Sequence, residues 1–76
     1  MPDNPEPVWN NVYSSCVSRT KYDEDKQELS VEYKNGRIYV YGGVEPDIGR
    51  DLHRSASIGQ ALDQWVKPNY GATRVK

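Results

Sequence analysis

The dipeptide Asn35-Gly36 constrains the fold of this chain more than any other feature, because it separates two segments with strand character. Residues 27–34 alternate polar and apolar side chains, and residues 37–41 are rich in β-branched and aromatic side chains. Both patterns are typical of β-strands. Asn-Gly suits a two-residue type I′ turn, in which both central positions need a positive φ. The sequence therefore predicts an antiparallel hairpin with Lys34 opposite Arg37.

This register divides the side chains of the hairpin between two faces, because successive residues of a strand point to opposite sides of the sheet. The apolar face, which we expect to form the core, carries Leu29, Val31, Tyr33, Ile38 and Val40. The opposite face carries Ser30, Glu32, Lys34, Arg37, Tyr39 and Tyr41. Both tyrosines of the last strand are therefore predicted to point away from the core.

A further strand is expected before this hairpin. Residues 12–22 are rich in Val, Tyr, Ser and Thr, contain no Gly or Pro, and lead into a polar turn at residues 23–26. This composition is typical of a strand that ends in a turn. Pairing Tyr22 with Gln27 places Val17 on the solvent face, so we expect a β-bulge between Val17 and Tyr22 that returns both to the core face.

Two short helices are predicted after the third strand. Pro46 suits a first helical turn, and the first helix is expected to extend through Arg54 with Ile48 and Leu52 buried. The second begins with the pattern Ser57-x-x-Gln60, which is typical of a capping box. Its apolar stripe has helical spacing and consists of Ile58, Ala61, Leu62, Trp65 and Val66.

These elements predict an α+β fold, a three-stranded antiparallel β-meander followed by two short α-helices packed on one sheet face. A chain of 76 residues has room for one small domain. We expect a flexible leader at residues 1–9, the domain at residues 10–70 and a flexible basic tail at residues 71–76.

Composition excludes several classes of function. The net charge of −1 gives no global basic field, so any nucleic-acid contact must come from a local patch. A single cysteine, Cys16, cannot form an internal disulfide, and we expect it to be small and partly buried. No metal site and no cofactor are predicted. Without a secretory signal or an apolar run long enough to span a membrane, the chain is expected in the cytoplasm, or in the host cytoplasm if a phage encodes it.

Several short motifs occur in an order that is similar to a known family. They are Ser14-Ser15, Tyr22-Asp23, Asn35-Gly36, Tyr39-x-Tyr41 and Ala56-Ser57-Ile58-Gly59. The chain resembles the KTSC domain, which is named after a C-terminal module of some lysyl-tRNA synthetases and also occurs as stand-alone bacterial and phage proteins. One departure is Glu45, which separates Val44 from Pro46. The resemblance implies the fold and a context of translation or phage biology, and it implies no reaction.

The predicted outer sheet face is the leading candidate site. Tyr39 and Tyr41 offer rings on which bases could stack, and four cations are expected near them, Arg19, Lys21, Lys34 and Arg37. This combination is typical of surfaces that bind single-stranded RNA. A secondary candidate lies on the first helix, where Arg50, His53 and Arg54 could contact phosphate. The alternative interpretation of both sets is an ordinary solvated surface.

The sequence therefore predicts a small non-enzymatic binding module whose ligand is RNA or another nucleic acid. The alternative hypothesis is a protein-protein interaction module, such as a phage-encoded effector of a host protein or a homodimer, that uses exposed aromatic residues or a sheet edge. An enzyme is not expected, because His53 has no recognisable nucleophile or carboxylate partner in the sequence.

Overall fold

A computed structural model describes residues 8–55 and 57–76. Most of the expected leader, and Ala56 of the family motif, lie outside the described residues. The elements are β1 (Asn10–Asn11), β2 (Val17–Asp23), β3 (Glu28–Tyr33), β4 (Ile38–Tyr41), α1 (Pro46–Arg54), α2 (Ile58–Ala61), a π turn (Leu62–Val66) and β5 (Ala72–Arg74). The described residues form one antiparallel sheet with the strand order β1-β2-β3-β4-β5.

The predicted α+β class is confirmed, but three strands were too few. Both additional strands are short and lie at the edges of the sheet. β1 pairs with β2, and β5 pairs with β4 after the chain has passed through both helices. β5 comes from residues that were expected to form a flexible tail. Its three residues are too few to show a strand pattern in the sequence.

The turn between β3 and β4 differs from the prediction by one residue. The Gly36 amide donates to the Tyr33 carbonyl, and the Tyr33 amide donates to the Arg37 carbonyl, each at 2.9 Å. Gly36 has a φ of +88°, whereas Asn35 has no positive φ. The connection is therefore a type I turn followed by a glycine bulge, with three residues in the loop and Tyr33 opposite Arg37.

This one-residue shift reverses the faces of β4. Leu29 lies opposite Tyr41, and Val31 lies opposite Tyr39. Because paired residues share a face, both tyrosines lie on the core face. Tyr41 is only 4% exposed and Tyr39 is half-buried. The predicted placement of Ile38 and Val40 in the core was wrong, as was the outward placement of the two tyrosines.

The predicted bulge in β2 is confirmed. The register with β3 shifts between Val17 and Arg19, so that Val17, Thr20 and Tyr22 all lie on the core face. Val17 and Thr20 are fully buried. Arg19 and Lys21 consequently lie on the outer face of the sheet.

Helix α1 has the predicted bounds and packs on the core face of the sheet. Leu52 is fully buried, and Ile48 is half-buried against the core. Gly49 faces the ring of Tyr22 so closely that an added Cβ would lie 2.9 Å from the ring carbon Cδ2. The Tyr22 hydroxyl donates to the Val44 carbonyl at 2.6 Å. The ring and the helix backbone are therefore in direct contact.

The second helix is less regular than predicted. Ser57 begins it but makes no side-chain cap hydrogen bond, so the predicted capping box does not form. At the π turn the Lys67 amide donates to the Leu62 carbonyl at 2.9 Å, five residues back. Trp65 lies within this wider turn and is 38% exposed, whereas Val66 is fully buried. Of the predicted apolar stripe, Trp65 is therefore the member that does not belong to the core.

Candidate functional site

A groove on the core face of the sheet, beside the helices, collects four of the chain's six tyrosines. Its volume is about 430 Å³. It is lined by Tyr33, Asn35, Arg37, Tyr39, Tyr41, Lys67, Tyr70 and Ala72. We call it the tyrosine groove. Strands β3, β4 and β5, together with the segment after the π turn, supply its walls.

Contacts between tyrosines order the groove. The rings of Tyr33 and Tyr39 meet edge to face, with centroids 5.7 Å apart and planes at 82°. The hydroxyls of Tyr33 and Tyr41 lie 2.9 Å apart, so one donates to the other. Edge-to-face contacts of this kind stabilise aromatic pairs by about 0.5–1.5 kcal/mol. The three rings are therefore held in fixed positions relative to one another.

Lys67 reaches the groove because it follows directly after the π turn. Its ammonium lies 5.4 Å from the centroid of the Tyr33 ring and 2.9 Å from a carboxylate oxygen of Asp63. The hydrogen bond that Lys67 donates to Asp63 raises the pKa of Lys67. This cation is thus bound to a carboxylate on one side and to an aromatic ring on the other.

Two arginines add positive charge on the same face. Arg37 is exposed and directly precedes β4, and its guanidinium forms no ion pair within the described residues. Arg74 lies directly opposite Tyr39 on β5, and its Nε donates to the Lys76 carbonyl at 3.0 Å. The groove therefore has a basic rim on a chain whose net charge is −1.

The structure divides the leading candidate set between two faces. It brings Tyr39, Tyr41 and Arg37 together in the tyrosine groove, and it leaves Lys34 exposed on the adjacent turn. Arg19 and Lys21 lie on the opposite face of the sheet, where they pair with Glu32 and Ser30 of β3. Arg19 forms an ion pair with Glu32 at 2.6 Å, and the Trp9 ring lies 4.5 Å from Arg19 and 4.8 Å from Lys21. The prediction of one six-residue site was wrong in this respect.

The secondary candidate on α1 does not form a cluster. The His53 ring points towards the sheet, where Nε2 lies 2.7 Å from the Thr20 hydroxyl and Nδ1 lies 2.9 Å from the Gly49 carbonyl. A carbonyl only accepts, so Nδ1 carries a proton, and in the neutral ring Nε2 accepts from Thr20. The Arg50 guanidinium forms an ion pair with the Asp47 carboxylate at 3.7 Å, and Arg54 is exposed. His53 has a structural role under the helix.

Cys16 is exposed, so its predicted partial burial was wrong. The Ser14 hydroxyl lies 3.7 Å from its sulfur and accepts hydrogen bonds from the backbone amides of Cys16 and Val17. Ser14 therefore acts on the backbone at the start of β2. Within the described residues, no group of three or more His, Cys, Asp or Glu side chains could hold a metal ion. None of the described helices is long and apolar enough to cross a membrane.

The family follows from comparison with known proteins. A family model of the KTSC domain matches residues 13–70. The chain belongs to the KTSC family. The resemblance seen in the ordered short motifs is thereby confirmed, and the matched range includes every residue of the tyrosine groove except Ala72.

Relatives of this KTSC domain include both stand-alone and fused forms. An uncharacterized protein of Stutzerimonas stutzeri is 33% identical over 59 residues, which cover 78% of this chain and 83% of that protein. A lysine–tRNA ligase of Nostoc punctiforme is 29% identical over 56 residues, which cover 74% of this chain and 10% of the ligase. The crystal structure of a KTSC domain protein from Yersinia pestis has a TM-score of 0.85 at 22% identity, covering 92% of this chain and 99% of that one. The structural likeness shows the shared fold.

Sequence reasoning missed several groove residues of this KTSC domain. Tyr33 was assigned to the core alone, and Lys67 and Tyr70 were given no role in a site. Tyr33 could have been found from the corrected register, which puts it on the same face as Tyr39. No sequence signal places Lys67, because its position depends on the π turn.

Alkaline pH is expected to destabilise this KTSC domain. Burial, and then the hydrogen bond with Tyr41, raise the pKa of Tyr33 above its ordinary value of about 10. Burial and nearby Glu24 raise the pKa of Tyr22, and that of Lys67 is raised by Asp63. All three groups hold their protons more tightly in the folded state. Stability is therefore fully present below about pH 10 and falls as the pH rises above it, where the unfolded chain releases these protons first.

Urea unfolding at pH 8, 9.5 and 10.5 measures this effect, and tyrosinate absorbance identifies the late-titrating rings. Tyr33→Phe removes one of the three groups, so its unfolding free energy should fall less steeply above pH 10 than that of the parent chain. An equal slope in both proteins would contradict the assignment to Tyr33.

Proposed function

We propose that this KTSC domain is a non-enzymatic binding module that takes single-stranded RNA in the tyrosine groove. One observation carries the proposal: four tyrosines and the cations Arg37 and Lys67 line the same groove, with Arg74 opposite Tyr39 on the same face. Aromatic rings and cations next to one another suit the two parts of a nucleotide. The module would act in the cytoplasm, where single-stranded RNA is available.

The chemistry of the groove fits bases and phosphates. A base stacked on an aromatic side chain contributes about 1–3 kcal/mol, and every base has a face that can stack. An arginine without an ion-pair partner can donate two parallel hydrogen bonds to one phosphate. Arg37 meets this description among the described residues, because it is exposed and its guanidinium has no carboxylate partner there.

Family context adds a second line of support. The relative in Nostoc punctiforme is named as a lysine–tRNA ligase, and the matching segment is a small part of it. A module joined to a protein that acts on tRNA would be useful if it bound RNA. We extend this context to the present chain as part of the proposal.

The test compares two cations that differ in position and match in charge. Arg37 lies in the groove, whereas Lys26 is exposed in the turn between β2 and β3, at the other end of β3. Arg37→Ala is expected to weaken binding of a fluorescent single-stranded oligouridylate about tenfold, and Lys26→Ala less than twofold. Anisotropy titrations at several salt concentrations measure both. A plot of log K against the logarithm of the salt concentration has a negative slope. In Arg37→Ala this slope should be shallower by about 0.7, which is the contribution of one phosphate contact on a single strand.

Tyr39→Leu tests the aromatic part of the proposal, since leucine keeps apolar packing while removing the stacking surface. Binding should weaken by a factor of about five or more, and circular dichroism checks that the variant is folded. If Arg37→Ala and Lys26→Ala lost the same amount of affinity for the oligouridylate, only the net charge of the chain would matter, and this would contradict the proposal. Absence of RNA binding would leave the protein-interaction hypothesis in its place.

A further inference from the structure

We infer that the tyrosine groove holds a single nucleotide unit, one base with one phosphate, rather than a run of stacked nucleotides. This inference rests on the proposed function and specifies its ligand. It follows from three features of the groove: its size, the directions of its rings and the number of cations in its lining that have no ion-pair partner.

Size sets the first limit. The groove volume is about 430 Å³, near the lower end of the roughly 300–1,000 Å³ that is typical of small-molecule sites. That space suits one nucleotide. A surface that binds a strand of several nucleotides needs an extended channel with a positive charge for successive phosphates.

Ring directions set the second limit. Tyr33 and Tyr39 stand at 82° to each other, so their faces cannot serve two parallel, successive bases. The ammonium of Lys67 lies near the Tyr33 ring, and Tyr41 is 4% exposed. Of the four tyrosines that line the groove, Tyr39 and Tyr70 therefore remain for a ligand, one on β4 and the other in the segment after the π turn.

The charges around the groove set the third limit. Lys67 is neutralised by Asp63 at 2.9 Å, and Arg74 lies beside the groove and is not part of its lining. Arg37 is the groove-lining cation without an ion-pair partner in the described part of the chain. One unpaired guanidinium matches one phosphate group.

The hydroxyl pair supplies a polar contact for the base. In the Tyr33–Tyr41 hydrogen bond, the hydroxyl that accepts still has its own proton. That proton can be donated to a carbonyl oxygen or ring nitrogen of the bound base. The groove thus offers a stacking surface, a phosphate contact and a hydrogen-bond donor for one nucleotide. The unit could be a free mononucleotide or one nucleotide of a single strand, and the following experiment separates these sources.

The experiment is an NMR titration of the full chain labelled with ¹⁵N. The ligands are uridine, uridine 5′-monophosphate, and oligouridylates from the dinucleotide to the octamer. Uridine 5′-monophosphate is expected to shift the amides of Arg37, Tyr39 and Lys67. Affinity should rise at most about tenfold from the mononucleotide to the octamer, the gain from several equivalent nucleotides on one strand. A platform that stacks successive bases would gain roughly 5- to 150-fold with each added base.

Arg37→Ala tests the phosphate contact directly. In the parent chain uridine 5′-monophosphate should bind about three- to tenfold more tightly than uridine, and this ratio should fall to about one in Arg37→Ala. Lys26→Ala, which removes the same charge from a distant turn, should keep the parent ratio. An unchanged ratio in Arg37→Ala would overturn the assignment of the phosphate to Arg37.

The outcomes separate this inference from the proposed function. If the octamer shifts the groove amides and the mononucleotide does not, or if affinity rises by more than about tenfold with length, the single-nucleotide inference is wrong and RNA binding stands. If the mononucleotide binds and no oligouridylate does, a free nucleotide is the ligand and the RNA proposal falls. If neither the mononucleotide nor any oligouridylate shifts the groove amides, both the single-nucleotide inference and the RNA proposal are wrong.

Discussion

Tyr41→Ala is expected to cost about 3–5 kcal/mol of unfolding free energy, the range for removing a buried large aromatic side chain. Tyr41 is 4% exposed, contacts the core and shares a hydrogen bond with Tyr33. A domain of 76 residues has a total stability of roughly 4–11 kcal/mol at about 0.05–0.15 kcal/mol per residue. The substitution therefore removes a large share of the stability, and the variant is expected to be partly unfolded at 37 °C.

The neighbouring residue provides a matched control. Val40 lies on the opposite face of β4 and is half-buried. Val40→Ala should cost about 1 kcal/mol, and Tyr41→Phe, which keeps the ring and loses the hydroxyl bond, also about 1 kcal/mol. Urea unfolding followed by circular dichroism measures all three variants.

The comparison also tests the register of the hairpin. A two-residue turn at Asn35-Gly36 would put Val40 inside and Tyr41 outside, and would reverse the order of the two alanine variants. If Val40→Ala lowered the free energy of unfolding more than Tyr41→Ala does, this would therefore contradict the three-residue loop. Because Tyr41 is buried, its substitution would unfold the domain as well as change the groove. The binding experiments therefore use substitutions of Arg37 and Tyr39.

Gly49→Ala is expected to destabilise the domain by about 1–3 kcal/mol, the usual cost of adding an atom where there is no space. In an unconstrained helix the same change would stabilise by about 1 kcal/mol, because alanine is the better helix former. Here the new Cβ would lie 2.9 Å from a ring carbon of Tyr22. The Tyr22 hydroxyl is bonded to the Val44 carbonyl, so the ring cannot move without losing that bond.

A double-mutant cycle separates the clash from other effects. In a Tyr22→Leu background the ring is gone, and Gly49→Ala should then be neutral or stabilising. Unfolding free energies of the four proteins give the coupling directly. If Gly49→Ala were equally costly in both backgrounds, the close approach of α1 to Tyr22 would not be the cause.

Local patterns were sufficient to predict much of this fold. Pro46 correctly began α1, and the mismatch of Val17 with the core face correctly indicated a bulge in β2. Asn35-Gly36 correctly indicated a hairpin but could not determine its register. The dipeptide fits a two-residue turn in which both residues have a positive φ, and it fits equally well a three-residue loop in which Gly36 alone does. The choice depends on which side chains the helices cover, which is a tertiary effect.

The candidate site was predicted in part for the same reason. Tyr39, Tyr41 and Arg37 were named correctly as neighbours, but their face was reversed with the register. Arg19 and Lys21 were grouped with them by that error. Lys67 was missed because a π turn has no sequence pattern that distinguishes it from an ordinary helix.

The pairing of β5 with β4 has a consequence for the order of folding. Strands β2, β3 and β4 are joined by short turns, so their contacts form between residues that are close in sequence. The pairing of Tyr39 with Arg74 closes the longest loop in the sheet, which contains both helices, so it is expected to form later than the hairpins. Tyr70 and Ala72 line the groove beside this pair. The tyrosine groove is therefore expected to gain its β5 wall late in folding, after the local contacts of β2, β3 and β4.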